Sequence, residues 1–281
     1  MTFIDWIKNL LSEWFGSSQT LEEIHWQEKW TVFLNNTVVF YRNLSSDEQD
    51  LFNKRIILFL EMTRIESRDG LVTDEDRLLV AASAIIPVWK FPKWHYFNLN
   101  AVILLPASFN ENFDCGMPDS NIQGMVGTGL MSGKMLLSKL ALYQGFKNSL
   151  DKHNVGIHEF AHLIDMADGK VDGFPERLQD FEYSIPWFKL VQTKITQINK
   201  KKSNIRDYGA TNDAEFFAVA SEYFFERPKM LQKKHPKLFE SLTEFYKQDI
   251  LDINQQVTPK KRAKCPCGSR KRYKNCCMPK D

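Results

Sequence analysis

The sequence predicts an α+β fold with a small antiparallel or mixed sheet. Capped amphipathic helices come first, a few apolar strands follow, and the patterns after residue 150 are helical again. Elements grouped in this way are typical of α+β proteins rather than of alternating βαβ units. At 281 residues one core can bury most of the apolar surface, so we expect one large domain with small appendages.

The early helices and the strands are predicted from local patterns. Residues 45–48, Ser-Ser-Asp-Glu, have the form of a capping box, and residues 73–76, Thr-Asp-Glu-Asp, open a second helix that Pro87 stops. Residues 96–105 and residues 135–137 are strongly apolar, which predicts strands.

Glycines at positions 124, 127, 129 and 133 precede Lys134. Their spacing differs from that of a phosphate-binding loop, and Met135 stands where such a loop needs a hydroxyl for Mg²⁺. We therefore predict a flexible loop that leads into a strand.

Two appendages flank the predicted domain of residues 20–255. Residues 1–19 contain a helical apolar stripe, which predicts an amphipathic helix that packs on the body or on a partner. Residues 256–281 carry a net charge of +8, whereas the preceding 255 residues carry −6. This asymmetry indicates two functional units, with residues 256–264 as a basic linker and residues 265–281 as a zinc-binding motif.

The composition also predicts a compartment. The longest apolar stretch, residues 78–89, is shorter than a bilayer span and contains Pro87, and the N-terminus has no basic lead or cleavage site typical of a secretory signal. Four of the five cysteines crowd into thirteen residues, a spacing that suits a metal site in a reducing compartment. We therefore expect a cytoplasmic protein without a transmembrane segment.

Residues 158–162, His-Glu-Phe-Ala-His, are the strongest indication of chemistry. His158 and His162 are four apart on a predicted helix, so both imidazoles can bind one Zn²⁺ at about 2.0–2.1 Å. Glu159, beside the first ligand, is placed to take a proton from water at the metal. In a chain of this composition the pattern would arise by chance about 0.016 times, so a coincidence explains it poorly.

A hydrolytic zinc site needs a third protein ligand, expected on a second helix. Residues 211–225 fit, because Thr211 or Asn212 can cap a helix with one apolar face. Glu215 and Glu222 are seven apart on the other face, so either carboxylate can reach the metal. Periodicity does not choose between them.

The chain resembles the Mlc titration factor A family of bacterial zinc peptidases over roughly residues 25–250. The resemblance rests on HEFAH followed by Tyr-Gly-Ala-Thr-Asn-Asp-Ala-Glu-Phe-Phe-Ala at residues 208–218, and these two motifs alone are similar to the catalytic domain of anthrax lethal factor. It implies a gluzincin-type zinc metallopeptidase with the following residues: ligands His158, His162 and Glu215, base Glu159, and oxyanion donor Tyr208. Glu222 remains the alternative ligand.

Three further residues or segments near the motif have predicted roles. Asp165, one turn beyond His162, either accepts a hydrogen bond within the site or lies solvated near the helix end. His153 is expected in a loop, because it lies on a different face from His158. Residues 135–137 are the candidate sheet edge to which a peptide substrate adds as a strand.

The basic tail contains a second predicted metal site. Cys265, Cys267, Cys276 and Cys277 form two close pairs separated by eight residues, a spacing that suits one closed, structural Zn²⁺ in a small knuckle. The stretch resembles the SEC-C motif, the C-terminal zinc module of the bacterial secretion ATPase. We therefore expect two zinc ions, one catalytic and one structural. The module is predicted to be loosely tethered, with its cations free to contact an acidic protein or RNA.

The predicted function is a cytoplasmic zinc aminopeptidase or endopeptidase that hydrolyses a peptide or protein substrate. The family resemblance also implies a regulatory role through a transcriptional repressor. The alternative is therefore a regulatory binding protein that sequesters such a repressor with little or no peptidase activity. A nucleic-acid-binding function would rest on the basic tail alone.

Overall fold

A computed structural model describes residues 24–68, 70–148, 150–175, 184–253, 262, 264 and 271–275. The predicted N-terminal helix, the four tail cysteines and most of the predicted linker lie outside the described residues. The helices and strands are α1 (Glu28–Thr37), α2 (Val39–Arg42), α3 (Ser46–Met62), β1 (Arg64–Ser67), α4 (Asp74–Ile85), β2 (Leu99–Leu105), β3 (Gly124–Val126), β4 (Gly133–Ser138), α5 (Lys139–Lys147), α6 (Val155–Asp165), α7 (Ser184–Asn199), α8 (Asp213–Glu226), α9 (Pro228–Lys234), α10 (Pro236–Tyr246) and α11 (Ile250–Ile253).

The predicted starts of α3 and α4 are confirmed. The Ser45 hydroxyl accepts a hydrogen bond from the Glu48 backbone N–H, and the Glu48 carboxylate accepts one from the Ser45 N–H. Thr73 and Asp76 form the same reciprocal pair at the start of α4. Each pair satisfies two donors that the first turn of a helix leaves free.

The sheet is mixed, as predicted, with the strand order β1-β2-β4-β3. Strands β1, β2 and β4 are parallel, and β3 is antiparallel to β4. The segment β1-α4-β2 is a parallel crossover, a single βαβ unit in a chain for which the sequence predicted α+β rather than alternating βαβ units. Strand β1 contains only Arg-Ile-Glu-Ser, which is too short and too polar to be recognised from an apolar pattern.

Two predictions about the strands were wrong. Residues 135–137 belong to β4, which pairs with β2 on one side and β3 on the other, so they are not at an edge. The edge strands are β1 and β3, and β3 begins within the stretch predicted as a loop. Glycine is depleted in strands, and three residues are too few to show alternation, so the pattern concealed this strand.

Strand β2 is apolar from residue 101 to residue 105 because both faces of the sheet are covered there. Val102 and Leu104 point into the main core with the helices, whereas Ile103 and Leu105 pack with Phe109 in a second, smaller cluster. A strand covered on both sides has a continuous apolar sequence. No helix in the described ranges has both the length and the apolar character needed to cross a bilayer.

Helix α6, which carries the HEFAH motif, is buried along its whole length. It packs against α4, α8 and β3. The approach to α4 is close enough that a Cβ atom added to Gly156 would lie 2.1 Å from the Ser83 hydroxyl oxygen. Gly156 therefore sets the distance between the motif helix and α4.

We predict that Gly156→Ala destabilises the protein by about 1–2 kcal/mol, because the added methyl overpacks the α4–α6 contact despite its better helix propensity. The measurement is the free energy of unfolding in a denaturant titration. The double variant Gly156→Ala/Ser83→Gly removes the opposing atoms and should recover part of the loss. Wild-type stability of the single variant would show that the two helices separate without cost.

Candidate metal centre

His158, His162 and Glu215 meet at one point between α6 and α8. The His158 Nε2 atom lies 3.1 Å from the Nε2 atom of His162 and 3.1 Å from the Oε2 atom of Glu215. The third side of the triangle, from His162 Nε2 to Glu215 Oε2, is 3.4 Å. Within the described ranges this is the one group of His, Cys, Asp or Glu side chains that converges in this way.

The triangle fits a zinc ion. An ion bound tetrahedrally at about 2.0–2.1 Å from each ligand requires ligand atoms about 3.3–3.4 Å apart. The observed sides of 3.1, 3.1 and 3.4 Å are close to that geometry. Two imidazole nitrogens and one carboxylate oxygen are also ligands that Zn²⁺ prefers, and three protein ligands leave a fourth position open.

The starts of the two helices position these ligands. The Asn154 side chain accepts a hydrogen bond from the Ile157 N–H and caps α6. The Asn212 side chain accepts one from the Glu215 N–H at 2.8 Å and caps α8, so Asn212 rather than Thr211 is the cap. Glu215 thus lies in the first turn of α8, where the helix dipole favours a negative charge.

Glu222 lies outside the triangle and faces the other nitrogen of His158. One of its oxygens accepts a hydrogen bond from His158 Nδ1 at 2.8 Å, and the other accepts one from the Asn154 backbone N–H at 2.6 Å. The Arg206 guanidinium also donates to this fully buried carboxylate. Because Nδ1 carries the donated proton, the Nε2 lone pair of His158 points toward the triangle.

Sequence analysis missed part of this network. Arg206 and Asn154 satisfy Glu222, and Glu226, one turn further along α8, accepts a hydrogen bond from the His153 backbone N–H at 2.8 Å. Burial raises the pKa of Glu226 well above its usual range. The four-residue spacing of Glu222 and Glu226 was the available indication. His153 lies in a loop, as predicted.

The environment shifts the pKa values of His158 and of Glu215. Burial disfavours the charged imidazolium, but the carboxylates of Glu222 and Glu215 raise the pKa of His158 to about 10. A metal ion therefore competes with a proton for Nε2. Burial would raise the pKa of Glu215, yet hydrogen bonds to His158 and His162 hold it well below its usual range.

Glu159 lies beside the triangle with its carboxylate against the edge strand. Burial raises its pKa, and the neighbouring histidines oppose that shift. A Cβ atom added to Gly124 of β3 would lie 2.5 Å from Glu159 Oε1, so only glycine leaves room for the carboxylate there. Glu159 is therefore held between α6 and the edge strand.

Tyr208 lies at the open side of the site. Its ring centroid is 5.9 Å from that of His158, and the side chain is exposed. Partial burial, together with the charges of Glu215 and Glu159, raises the pKa of Tyr208 to about 12. The phenol therefore stays protonated at neutral pH and is available as a hydrogen-bond donor.

Asp165 is fully buried, so the solvated alternative was wrong. Its Oδ2 atom accepts a hydrogen bond from the Gly173 backbone N–H at 3.0 Å, and in the described part of the chain its Oδ1 atom has no partner. Burial raises the pKa of Asp165 to about 7. Gly173 lies close to the start of α8, because a Cβ atom added to it would lie 2.3 Å from the Asp213 carbonyl oxygen. Through its hydrogen bond to Gly173, Asp165 therefore links the end of α6 to the start of α8.

Comparisons with known proteins agree with the resemblance seen in the sequence. Residues 263–279 match the SEC-C motif. Mlc titration factor A of Klebsiella pneumoniae is 27% identical over 220 residues, which cover 74% of this chain and 82% of that protein. The same-named protein of Cronobacter sakazakii is 27% identical over 228 residues, which cover 77% of this chain and 85% of that protein.

A further relative is more similar in sequence. An uncharacterized protein of Synechocystis sp. is 30% identical over 247 residues, which cover 79% of this chain and 88% of that protein. The family of glucose-regulated metallo-peptidases M90 matches residues 12–247. Because this match spans most of the chain and includes the whole metal-ligand triangle, the chain belongs to the glucose-regulated metallo-peptidase M90 family.

Proposed function

We propose that this protein is a gluzincin-type zinc peptidase, an aminopeptidase or endopeptidase, that hydrolyses peptide or protein substrates. The observation that carries the proposal is the convergence of His158 Nε2, His162 Nε2 and Glu215 Oε2 with Glu159 beside them. The metallopeptidase family supports the reaction class. The spacing of the tail cysteines supports a reducing compartment, the cytoplasm.

In this proposal Zn²⁺ supplies Lewis acidity toward the scissile carbonyl and acidifies water at neutral pH. The Glu159 carboxylate accepts a proton from the attacking water and passes it to the leaving amine, a role that suits an acid whose pKa burial raises. The Tyr208 phenol donates a hydrogen bond to the developing oxyanion. Glu222 holds the imidazole of His158 in the required tautomer.

The substrate is proposed to add to β3 as an extended strand. Strand β3 is an edge strand of the sheet, it contacts α6, and its Gly124 lies against the proposed base. A peptide paired with this edge would place a carbonyl close to Glu159, with its backbone bound by main-chain hydrogen bonds. The proposed substrate-binding strand is therefore residues 124–126 and not residues 135–137, which the sequence predicted.

We further propose that the SEC-C-like tail binds a second, structural zinc ion through Cys265, Cys267, Cys276 and Cys277. The match to the SEC-C motif and the two cysteine pairs support this zinc knuckle. Neither ligand set shares a residue with the other, so the two ions should bind independently.

A regulatory role is proposed beside the peptidase activity. Two of the relatives carry the name Mlc titration factor A, which says of those proteins that they titrate a factor called Mlc. By analogy this chain would bind a transcriptional repressor. The alternative, a repressor-binding protein with little or no peptidase activity, has no use for a buried base beside the ligands, so we favour the peptidase.

Glu159→Gln tests the peptidase proposal directly. The amide keeps the shape of the side chain but cannot accept the proton, so peptide hydrolysis should fall by roughly 10²–10⁴-fold while the catalytic zinc remains. The measurement is hydrolysis of a peptide library together with metal analysis. Undiminished hydrolysis by this variant would exclude Glu159 as the base, and inactivity of the wild type on every peptide would favour the binding protein.

Glu215→Gln and Glu222→Gln form a matched pair that tests the ligand assignment. Wild-type protein should contain two zinc ions, and Glu215→Gln should contain one, because an amide is a poor zinc ligand. Glu222→Gln should keep both ions with roughly 10–100-fold weaker affinity at the catalytic site. Loss of the ion from Glu222→Gln but not from Glu215→Gln would reverse the assignment.

Gly124→Ala tests whether the edge strand holds the base. The added methyl displaces the Glu159 carboxylate, and a displacement of about 1 Å should lower kcat by roughly 10²-fold with zinc content unchanged. Gly127→Ala is the control, because its Cβ would meet Met131 at 3.6 Å, an ordinary contact. Equal kcat values for the two variants would contradict the proposed contact.

A further inference from the structure

A cavity of about 340 Å³ lies beside α6 and α8, the helices that carry the candidate metal ligands. Its wall combines apolar side chains from the domain with one side chain of the basic tail. The principal lining residues are Phe40, Phe146, Ile157, Phe225, Met230 and Tyr273. This volume is the space that remains with Tyr273 in the wall.

Tyr273 is the residue that the tail contributes. It is 3% exposed, whereas Lys271, Arg272 and Lys274 around it are exposed. Residues 273–275 form a single helical turn, in which the Asn275 N–H donates to the Arg272 carbonyl at 2.9 Å. One buried aromatic ring within a run of exposed cations differs from the loosely tethered tail that the sequence predicts.

We propose that Tyr273 anchors the C-terminal module to this cavity on the back of the peptidase domain. The docked segment belongs to the same chain, residues 271–275, and the structure places its Tyr273 in the cavity wall. Tyrosine suits this position, since its ring gains from apolar contacts and its hydroxyl can remain near polar groups. The exposed cations beside it stay in water, which allows the segment to bind without burying a charge.

The cavity wall to which Tyr273 belongs also includes the parts of α6 and α8 that support the candidate metal ligands. Phe225 lies between Glu222 and Glu226 on α8, and Ile157 directly precedes His158 on α6. Asn154, which caps α6 and donates its N–H to Glu222, also lines the cavity. Docking of the tail therefore places Tyr273 in the same cavity wall as these supporting residues. The inference concerns the tail alone and does not depend on peptidase activity.

Limited trypsin digestion of the full-length, zinc-loaded protein tests the anchor. Lys271, Arg272 and Lys274 flank Tyr273, and a protease binds its substrate as an extended strand, so cleavage at these residues requires the helical turn to leave the cavity wall. Tyr273→Ala should be cleaved there roughly tenfold faster than wild type, because cleavage follows the population of the open form. Tyr273→Phe, which keeps the ring, and Asn275→Ala, at an exposed neighbour, should both resemble wild type.

A second variant on the domain separates docking from folding of the module itself. Val39→Glu places a charge in the cavity wall at a half-buried position, far in sequence from the tail. It should accelerate tail cleavage as Tyr273→Ala does, while the matched control Val32→Glu, at a position 57% exposed, should not. Acceleration by Tyr273→Ala without acceleration by Val39→Glu would mean that the ring packs only within its own module, and would overturn the proposal.

Discussion

The hydrogen bond between His158 and the buried carboxylate of Glu222 is the interaction on which the site depends. A fully buried charge is costly unless it is paired and hydrogen-bonded. Here the Glu222 carboxylate accepts hydrogen bonds from the imidazole Nδ1, the Asn154 backbone N–H and the Arg206 guanidinium. Each of these donors comes from a different part of the chain: the body of α6, its cap, and the segment before α8. Satisfying one carboxylate therefore fixes the orientation of the imidazole and the relative position of both helices.

Close contacts at three glycines further restrict the position of α6. Helix α6 approaches α4 at Gly156 and the edge strand at Gly124, and the segment after it approaches α8 at Gly173. At each of these positions an added Cβ atom would lie within 2.6 Å of a neighbouring atom. Three close approaches leave little freedom for a helix that is buried along its whole length. The two histidines on it are thereby held close to the geometry that a tetrahedral ion requires.

The parts of this arrangement that could be predicted from sequence are those determined locally. The capping boxes at Ser45 and Thr73 and the helix around HEFAH depend on residues within one or two turns, so pattern alone locates them. Periodicity places Glu215 and Glu222 on one face of α8 but carries no distances. Only the packing of α8 against α6 shows that Glu215 meets Nε2 of His158 and that Glu222 meets Nδ1.

The sheet was harder to predict for a related reason. Strand order depends on which strands pair, and pairing is a long-range property that a run of apolar residues does not encode. Residues 135–137 are apolar because β4 is internal and covered on both faces, the same property that makes them unsuitable as an edge. The edge strand β3 is short and begins with glycine, at which its backbone approaches the Glu159 carboxylate closely. This close approach thus removes the features by which strands are recognised.

The same surroundings shift the pKa values of Glu215 and Glu159 in opposite directions. Glu215 accepts hydrogen bonds from two imidazoles, which hold its pKa low despite burial, so it stays ionised as a ligand must. Glu159 has the same histidines as neighbours, yet burial dominates and raises its pKa above its usual range. The difference arises from position: Glu215 points at the imidazole edges, whereas Glu159 is turned toward the edge strand. Packing against a glycine therefore separates the proposed base from the proposed ligand.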